Sequence, residues 1–362
     1  MSLVEVSLVV DSLSTTDACV REVALRLVGR VNASVVEDRL IARLATSTPL
    51  ATREAAAVGL GLVRSKVAVD PLLRLMSHDE VGLRSNAAWA LGRIGDKQVA
   101  PTIRRMLNDD EEIARRAAVK ALGSLEDAAS VPELVRVLRT DPVARVRRVA
   151  AWALGQIEAR GAVDGLVAAM RAERDEDVRE MCVWALGEIE AKEAVSSLVD
   201  VLRSDASGRV RESAAWALGQ IEDGAGVAAL GEAAGGDADE EVRATAAWAI
   251  GQIEPSEAPA GLIKAVRDAD SEVRARAAWA LSEMRDTRAV SALREAYRTE
   301  KDSKARKAQL RALVRGGGAS EELFRELLRS DDAEVREQAV RGMAGRSMDP
   351  WPWPMPRPRP FP

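Results

Sequence analysis

One nine-residue segment returns along the chain at a fixed interval, and this regularity restricts the possible folds more than any other feature. It reads AAWALGQIE at 150–158 and at 214–222, and AAWAIGQIE at 246–254. A related segment, AAVKALGSL at 117–125, has Lys120 where the others have tryptophan. The tryptophans of the repeated segment are Trp89, Trp152, Trp184, Trp216, Trp248 and Trp279, at spacings of 63, 32, 32, 32 and 31 residues. A period of this length indicates an array of structural repeats.

Each repeat contains two helical patterns and nothing that alternates like a strand. In 267–298, the loop RDADS precedes EVRARAAWALSEM, and RAVSALREAYR follows after a short turn. Acidic residues come just before the Val-Arg pattern, where they can cap the helix and meet its positive end. Two short helices cannot bury their apolar faces alone, so neighbouring repeats must stack. We therefore predict about eleven stacked repeats of 30 to 32 residues.

The composition argues against several other classes of protein. Aromatic residues make up 3% of the chain, which suits thin layers of closely packed helices better than an ordinary globular core. The formal net charge of −5 provides no global field that would favour nucleic acid. Cys19 and Cys182 make no disulfide framework, the first residues lack the basic region of a signal peptide, and no apolar run has the length of a membrane span. We therefore expect a cytoplasmic protein.

The segments EVRARAAWAL, DVREMCVWALGEIE and AVDGLVAAMR resemble HEAT-like repeats of the phycobilisome-lyase type, and the resemblance covers residues 1–346. It implies an all-α, right-handed α-solenoid in which the Val-Arg helices line the concave side. The family contains scaffolds, lyases and enzymes, so the resemblance is specific for fold and not for function. Residues 347–362 form a separate Pro-rich tail.

The tryptophans hold a constant position, here called a slot, in the Val-Arg helix. With Val146 in slot one, Trp152 is in slot seven and Gln156 in slot eleven. Slots one, five, eight, nine and twelve hold small or aliphatic residues and are predicted to be buried. Slot seven lies about 145° from the middle of that set, so the indoles are expected to face the open, concave side together with slots three, four and eleven.

This reasoning predicts a partner-binding face. Its candidate residues are Trp89, Trp152, Trp184, Trp216, Trp248, Trp279, Arg148, Gln156, Glu188, Gln220, Gln252, Arg276 and Glu283. A row of exposed indoles would be an interaction surface, because large apolar patches usually mark such sites. The alternative is that each indole packs on the helix of the neighbouring repeat. The slot-two arginines, Arg147, Arg179, Arg211, Arg243 and Arg274, are predicted to contact aspartates between repeats.

The C-terminal segment has proline at every second position from Pro350 to Pro362. It is predicted to be extended and polyproline-like, because proline excludes helix and removes backbone donors. The residues between the prolines are Trp351, Trp353, Met355, Arg357, Arg359 and Phe361. One hypothesis is that this tail docks in a Trp-lined groove of its own chain, as an autoinhibitory plug, or of a neighbouring chain, as a link in a homo-oligomer or filament. The alternative is a disordered tail that serves another protein or a membrane surface.

The chain offers little for catalysis. His78 is the one histidine and is predicted to face solvent in a loop; Cys182 occupies an alanine slot, and RGGGAS at 315–320 lacks the Lys-Ser ending of a phosphate-binding loop. We predict no catalytic residue, no metal and no cofactor. The predicted function is a non-catalytic scaffold that binds a partner protein or an extended Pro- and Arg-containing peptide. Two alternatives remain: a chromophore-binding protein similar to phycobilin lyases, and nucleic-acid binding, which the acidic balance opposes.

Overall fold

The computed structural model describes residues 3–284, 287–315, 321–329 and 333–343, and within these ranges all regular elements are helices. After α1 (Leu3–Asp11), the chain alternates between two kinds of helix, numbered along the chain. The first helix of each repeat carries the Val-Arg pattern or its equivalent: α2 (Ala18–Val28), α4 (Leu50–Leu62), α6 (Val81–Ile94), α8 (Glu112–Ser124), α10 (Ala144–Gln156), α12 (Glu176–Glu188), α14 (Gly208–Ile221), α16 (Glu240–Ile253), α18 (Ser271–Met284), α20 (Ser303–Arg315) and α22 (Ala333–Met343). The second helices are α3 (Ala33–Ala42), α5 (Val69–Leu75), α7 (Ala100–Arg105), α9 (Val131–Thr140), α11 (Val163–Ala172), α13 (Val195–Ser204), α15 (Val227–Gly236), α17 (Ala260–Ala265), α19 (Val290–Thr299) and α21 (Glu321–Leu328). The predicted all-α array of helix pairs is confirmed.

The described helices fall into two compact units, which divide inside α12 after Ala185. In the N-terminal unit, α4, α6, α8 and α10 pack side by side in chain order, and in the C-terminal unit α14, α16, α18 and α20 do the same. Each of several second helices packs on the first helix of the following repeat, as α9 does on α10 and α15 does on α16. A first helix is therefore covered on more than one side.

Small and aliphatic side chains fill the core between these helices. In α10, Val146, Ala150, Ala153 and Leu154 are all fully buried, as predicted for slots one, five, eight and nine, whereas Ile157 in slot twelve is half-buried and not buried as predicted. The same slots are buried in α14. Alanine at two of the four slots keeps the helix axes close, which explains how a chain with few aromatic residues forms a dense core.

The turn after the first helix has the same backbone shape in repeat after repeat. The residue in slot thirteen has a positive φ, in the left-handed region that favours glycine. Gly95 occupies it with φ 84°, whereas Arg64, Glu126, Glu158, Glu190, Glu222 and Glu254 occupy it with φ between 47° and 52°. In the repeat of α10, the N–H of Ala159 then donates back to the carbonyl of Leu154, which closes the helix end before a short 3₁₀ turn at Arg160–Ala162. This turn sets the direction of the second helix.

The predicted boundary between residues 346 and 347 lies outside the described residues, and so do all the tail residues singled out above. The division into 1–346 and 347–362 therefore stays a prediction.

Candidate binding face

Arginines in slot two join each repeat to the next through paired hydrogen bonds. Arg243 donates from Nε and Nη2 to the two carboxylate oxygens of Asp268, at 2.8 and 3.0 Å, and from Nη1 to the backbone carbonyl of Asp237 at 2.8 Å. The same two-pronged contact joins Arg84 to Asp109, Arg115 to Asp141, Arg147 to Glu173, Arg211 to Asp237 and Arg274 to Glu300. The predicted contact with an aspartate of the next repeat is confirmed for Arg211 and Arg243, whereas Arg147 and Arg274 make the same contact with a glutamate. Arg179 donates to the carbonyls of Glu173 and Arg174, in the loop before its own helix.

The carboxylates of these contacts also organise the loops that carry them. Burial alone would raise the pKa of Asp237, but hydrogen bonds from Arg211 and from the backbone N–H of Asp239 outweigh burial and hold the pKa below its usual value. The pKa values of Asp109, Glu173 and Glu300 are lowered in the same way. Each such carboxylate is therefore charged at neutral pH and ties an arginine of one repeat to the loop of the next.

The expectation that the indoles form an exposed row is wrong. The side chains of Trp152, Trp184, Trp216 and Trp248 are only 8, 7, 5 and 1% exposed, and those of Trp89 and Trp279 are half-buried. The alternative, in which each indole packs on the helix of the neighbouring repeat, describes what the structure shows. Slot seven is thus a packing position.

A glycine in slot ten of the preceding first helix receives each indole. A β-carbon built on Gly155 would come within 2.7 Å of Cζ3 of Trp184, which is too close for any side chain. The same relation holds between Gly61 and Trp89, Gly123 and Trp152, Gly187 and Trp216, Gly219 and Trp248, and Gly251 and Trp279. The prediction failed because it considered only the core between the two helices of one repeat. The first helices of successive repeats also pack on one another, and this contact buries slot seven.

Polar side chains remain accessible in the slots around this indole layer. Gln156 and Glu188 in slot eleven are exposed, and Gln220, Gln252 and Glu283 are half-buried. Arg148 and Arg276, in slots three and four, are half-buried as well. Arg148 lies 3.8 Å from Asp177, Arg276 lies 3.0 Å from Glu272, and Arg315 lies 2.6 Å from Glu283. The first helices of each unit thus present a charged and amide-rich face over a layer of buried indoles.

Glu212, in slot three of α14, belongs to this face and was missed in the choice of candidates. Burial raises its pKa, and the nearby carboxylate of Glu241 raises it further, while Arg276 acts in the opposite direction. Its Oε1 lies 3.5 Å from Oγ1 of Thr245, which is also 3.4 Å from Nη1 of Arg276. Its position in slot three, two residues after Val210, was the signal that could have identified it.

The few residues considered for catalysis have structural surroundings. His78 lies in a loop as predicted but is half-buried: its Nε2 lies 3.3 Å from Nη1 of Arg53, and its Nδ1 accepts from the backbone N–H of Glu80. Burial raises the pKa of the Cys182 thiol. Across the described residues there is no group of three or more potential metal-ligating side chains, and no described helix is long and apolar enough to cross a membrane.

Comparisons with known proteins agree with the repeat architecture. The family model for HEAT repeats matches residues 75–155, 137–219, 163–235 and 227–314. No curated protein sequence matches the chain. Among solved structures, an engineered protein aligns with a TM-score of 0.53 at 25% identity over 85% of this chain and 98% of its own.

Two further solved structures align with the chain. Kap95p, solved in a complex with RanGDP, aligns with a TM-score of 0.64 at 12% identity, over 94% of this chain and 55% of its own length. The chain therefore spans about half of Kap95p. The complex of CpcE and CpcF, the phycocyanin lyase of Nostoc sp. PCC7120, aligns with a TM-score of 0.41 at 20% identity, over 69% of this chain and 93% of its own.

Proposed function

Because the chain belongs to the HEAT-repeat family, we propose that it is a non-catalytic interaction scaffold that binds a partner protein on the face of its first helices. The observation that carries this proposal is the repeated surface itself: accessible polar side chains in slots three, four and eleven, over indoles locked against glycine. Such a surface is rigid before a ligand arrives, so little conformational entropy is lost on binding. Recognition would come from the accessible side chains, while the indoles would hold the helices at a fixed spacing.

In the C-terminal unit, the chemistry of this face suits a segment that contains arginine and proline. Gln220 and Gln252 offer amide groups, and Glu212 and Glu283 offer carboxylates. Arginine donors match carboxylates and amide oxygens, and an extended proline-rich chain places successive side chains along a helical surface with little loss of entropy. The tail of this chain carries Arg357 and Arg359 between prolines. We propose it as one ligand of this face, bound within the chain or between chains.

A titration tests this function. The receptor is the full chain carrying Arg357→Glu and Arg359→Glu, so that its own tail does not compete, and the ligand is a synthetic peptide of residues 348–362. Glu212→Gln together with Gln252→Ala is expected to weaken binding about tenfold, the effect of losing one charge-assisted hydrogen bond. The control is Gln98→Ala, since Gln98 is exposed in a turn away from the face. Absence of binding, or an equal effect of the control, would reject the tail as a ligand.

The second question is whether the tail acts within or between chains. Binding between chains would raise the mass in solution with protein concentration, and the chain carrying both arginine substitutions would stay at its lowest mass. Analytical ultracentrifugation over a concentration series separates the two arrangements.

The chromophore-binding alternative depended on exposed indoles that could stack on a flat tetrapyrrole. Burial of Trp152, Trp184, Trp216 and Trp248 removes that support. Binding of nucleic acid has no specific observation in its favour.

A further inference from the structure

The repeat of α8 lacks the indole that the neighbouring repeats have in slot seven. Lys120 occupies the slot, and the atoms nearest to a β-carbon built on Gly92 belong to Ala121 of α8, with no indole among them. At Gly61 and Gly123, one repeat before and one after, an indole Cζ3 is among the nearest atoms. The N-terminal unit therefore lacks the indole that would otherwise pack between α6 and α8.

A pocket lies at this place. It is lined by Ser85, Asn86, Trp89, Ile113, Arg116, Ala117, Lys120, Arg145, Arg148 and Val149, which come from α6, α8 and α10. The lining residues of each helix are in slot three, four or seven, or directly before slot one. The pocket thus belongs to the proposed binding face and forms where the regular filling of that face is interrupted.

Four of the lining side chains are cations, and no acidic side chain lines the pocket. Arg116, Lys120 and Arg145 make no ion pair or side-chain hydrogen bond with any described residue, whereas the slot-two arginines of the same helices are held in two-pronged contacts with carboxylates. Arg148 is the lining cation that pairs with a carboxylate, that of Asp177 at 3.8 Å, so the excess positive charge is that of the other three side chains. In a chain of net charge −5, unneutralised cations gathered in one pocket are a local excess that favours an anionic ligand.

The pocket also has an apolar wall. Ile113 is 46% exposed, and the half-buried ring of Trp89 borders the cations. The guanidinium carbon of Arg93 lies 5.8 Å from the centroid of that ring, which adds positive charge at the rim. A ligand that fits both properties carries carboxylates next to an apolar side chain.

We propose that this pocket, centred on Lys120, binds an acidic segment of a partner protein, with carboxylates on Arg116, Lys120 and Arg145 and an aliphatic side chain against Ile113 and Trp89. A polypeptide suits the site better than a nucleic acid, because the positive charge is confined to one pocket of an acidic protein. The apolar wall also matches an aliphatic side chain. The proposal rests on the scaffold function in one respect, that partners meet the first-helix face.

Lys120→Trp gives the sharpest test, because it restores the indole that neighbouring repeats have and fills the pocket without disturbing the repeat. Gly92 already provides the glycine that receives such an indole elsewhere. The probe is a fluorescein-labelled hexapeptide, acetyl-Glu-Leu-Asp-Glu-Leu-Asp-amide, measured by anisotropy against the full chain at low salt. The control peptide has glutamine and asparagine in place of the acids.

The expected result is saturable binding of the acidic peptide, loss of binding as salt rises, and at least about tenfold weaker binding by Lys120→Trp and by the double variant Arg116→Gln with Arg145→Gln. Circular dichroism and thermal unfolding establish that both variants are folded. Equal binding of the two peptides, or unchanged affinity in Lys120→Trp, would overturn the proposal. Tighter binding of inorganic phosphate or of a single-stranded oligonucleotide would also overturn it, in favour of a phosphate site. Because the tail titration probes Glu212 and Gln252 in the other unit, failure here and failure of the proposed function are separate results.

Discussion

Trp248 of α16 lies over Gly219 of α14, so closely that a β-carbon on Gly219 would stand 2.8 Å from Cζ3 of the indole. The side chain of Trp248 is 1% exposed and is the largest fully buried side chain among the described residues. The relation joins one repeat to the next, because glycine and tryptophan come from consecutive first helices. The recurring spacing of glycine and tryptophan along the chain therefore reflects packing between repeats.

Gly219→Ala is expected to destabilise the protein by about 1–3 kcal/mol, because the added methyl group forces the indole or the helix to shift. Thermal and urea unfolding measure the change. Gly161→Ala is the matched control: no atom lies within 4 Å of a β-carbon at Gly161, so this substitution is expected to leave stability unchanged or to raise it slightly. Equal effects of the two substitutions would contradict the packing relation.

Glu158→Gly is expected to stabilise the protein by about 1 kcal/mol, because glycine adopts the left-handed conformation of slot thirteen without the steric penalty of a β-carbon. Glu158 is exposed and has φ 51°, so the substitution removes strain without removing a buried contact. The reverse change, Gly95→Ala at φ 84°, is expected to destabilise by a similar amount. Chemical denaturation of the two variants and the parent chain measures both changes in the free energy of unfolding. A Glu158→Gly chain less stable than the parent would contradict the assignment of backbone strain to Glu158.

The contact between Arg211 and Asp237 is expected to make folding sensitive to acid. The folded-state pKa of Asp237 is lowered, so its contribution to stability is present above the unfolded value of about 3.9 and is lost as pH falls through the folded value. Asp237→Asn is therefore expected to be less stable than the parent at pH 7, by about 1–3 kcal/mol, and to approach it in strong acid. Urea unfolding over a pH series measures this.

Asp38→Asn serves as the control for the acid series, since Asp38 is exposed and makes no ion pair within the described part of the chain. Its unfolding curve is expected to follow that of the parent at every pH. A gap between Asp237→Asn and the parent that persists unchanged into strong acid would show that the lost stability has another origin.

Glu212 is expected to change stability with pH in the opposite direction to Asp237. Burial raises the pKa of Glu212 in the folded state, so the folded chain binds this proton more tightly than the unfolded chain does, and stability falls as pH rises above the unfolded value of about 4.3. Glu212→Gln removes this dependence and is expected to make the protein at least as stable as the parent at pH 7. Comparison of the two chains by thermal unfolding at pH 4 and pH 7 measures it; a larger loss of stability at pH 7 in Glu212→Gln would contradict it.

The repeat period and the helix pairs could be predicted from the sequence because each depends on the pattern within one repeat. The slot-two contacts between repeats could be predicted because an arginine and an acidic loop recur along the chain. Val146, Ala150 and Leu154 were identified as buried by helical spacing alone. Burial of Trp152 could not be obtained in that way, since it depends on Gly123 of another repeat. The pocket at Lys120 needed the positions of α6, α8 and α10 together, although the replacement of tryptophan by lysine was visible from the start.

Because glycine in slot ten pairs with the tryptophan of the following repeat, the contacts between successive repeats are equivalent to one another. Removal of residues 220–251, one full period, would fuse the first ten slots of α14 to the end of α16 and set Gly219 opposite Trp279. The new junction would have the same two partners as the junctions that it replaced. A gene that encodes such an array can therefore lengthen or shorten by whole repeats without needing compensating changes elsewhere, so the number of repeats is freer to vary than the residues inside any one of them.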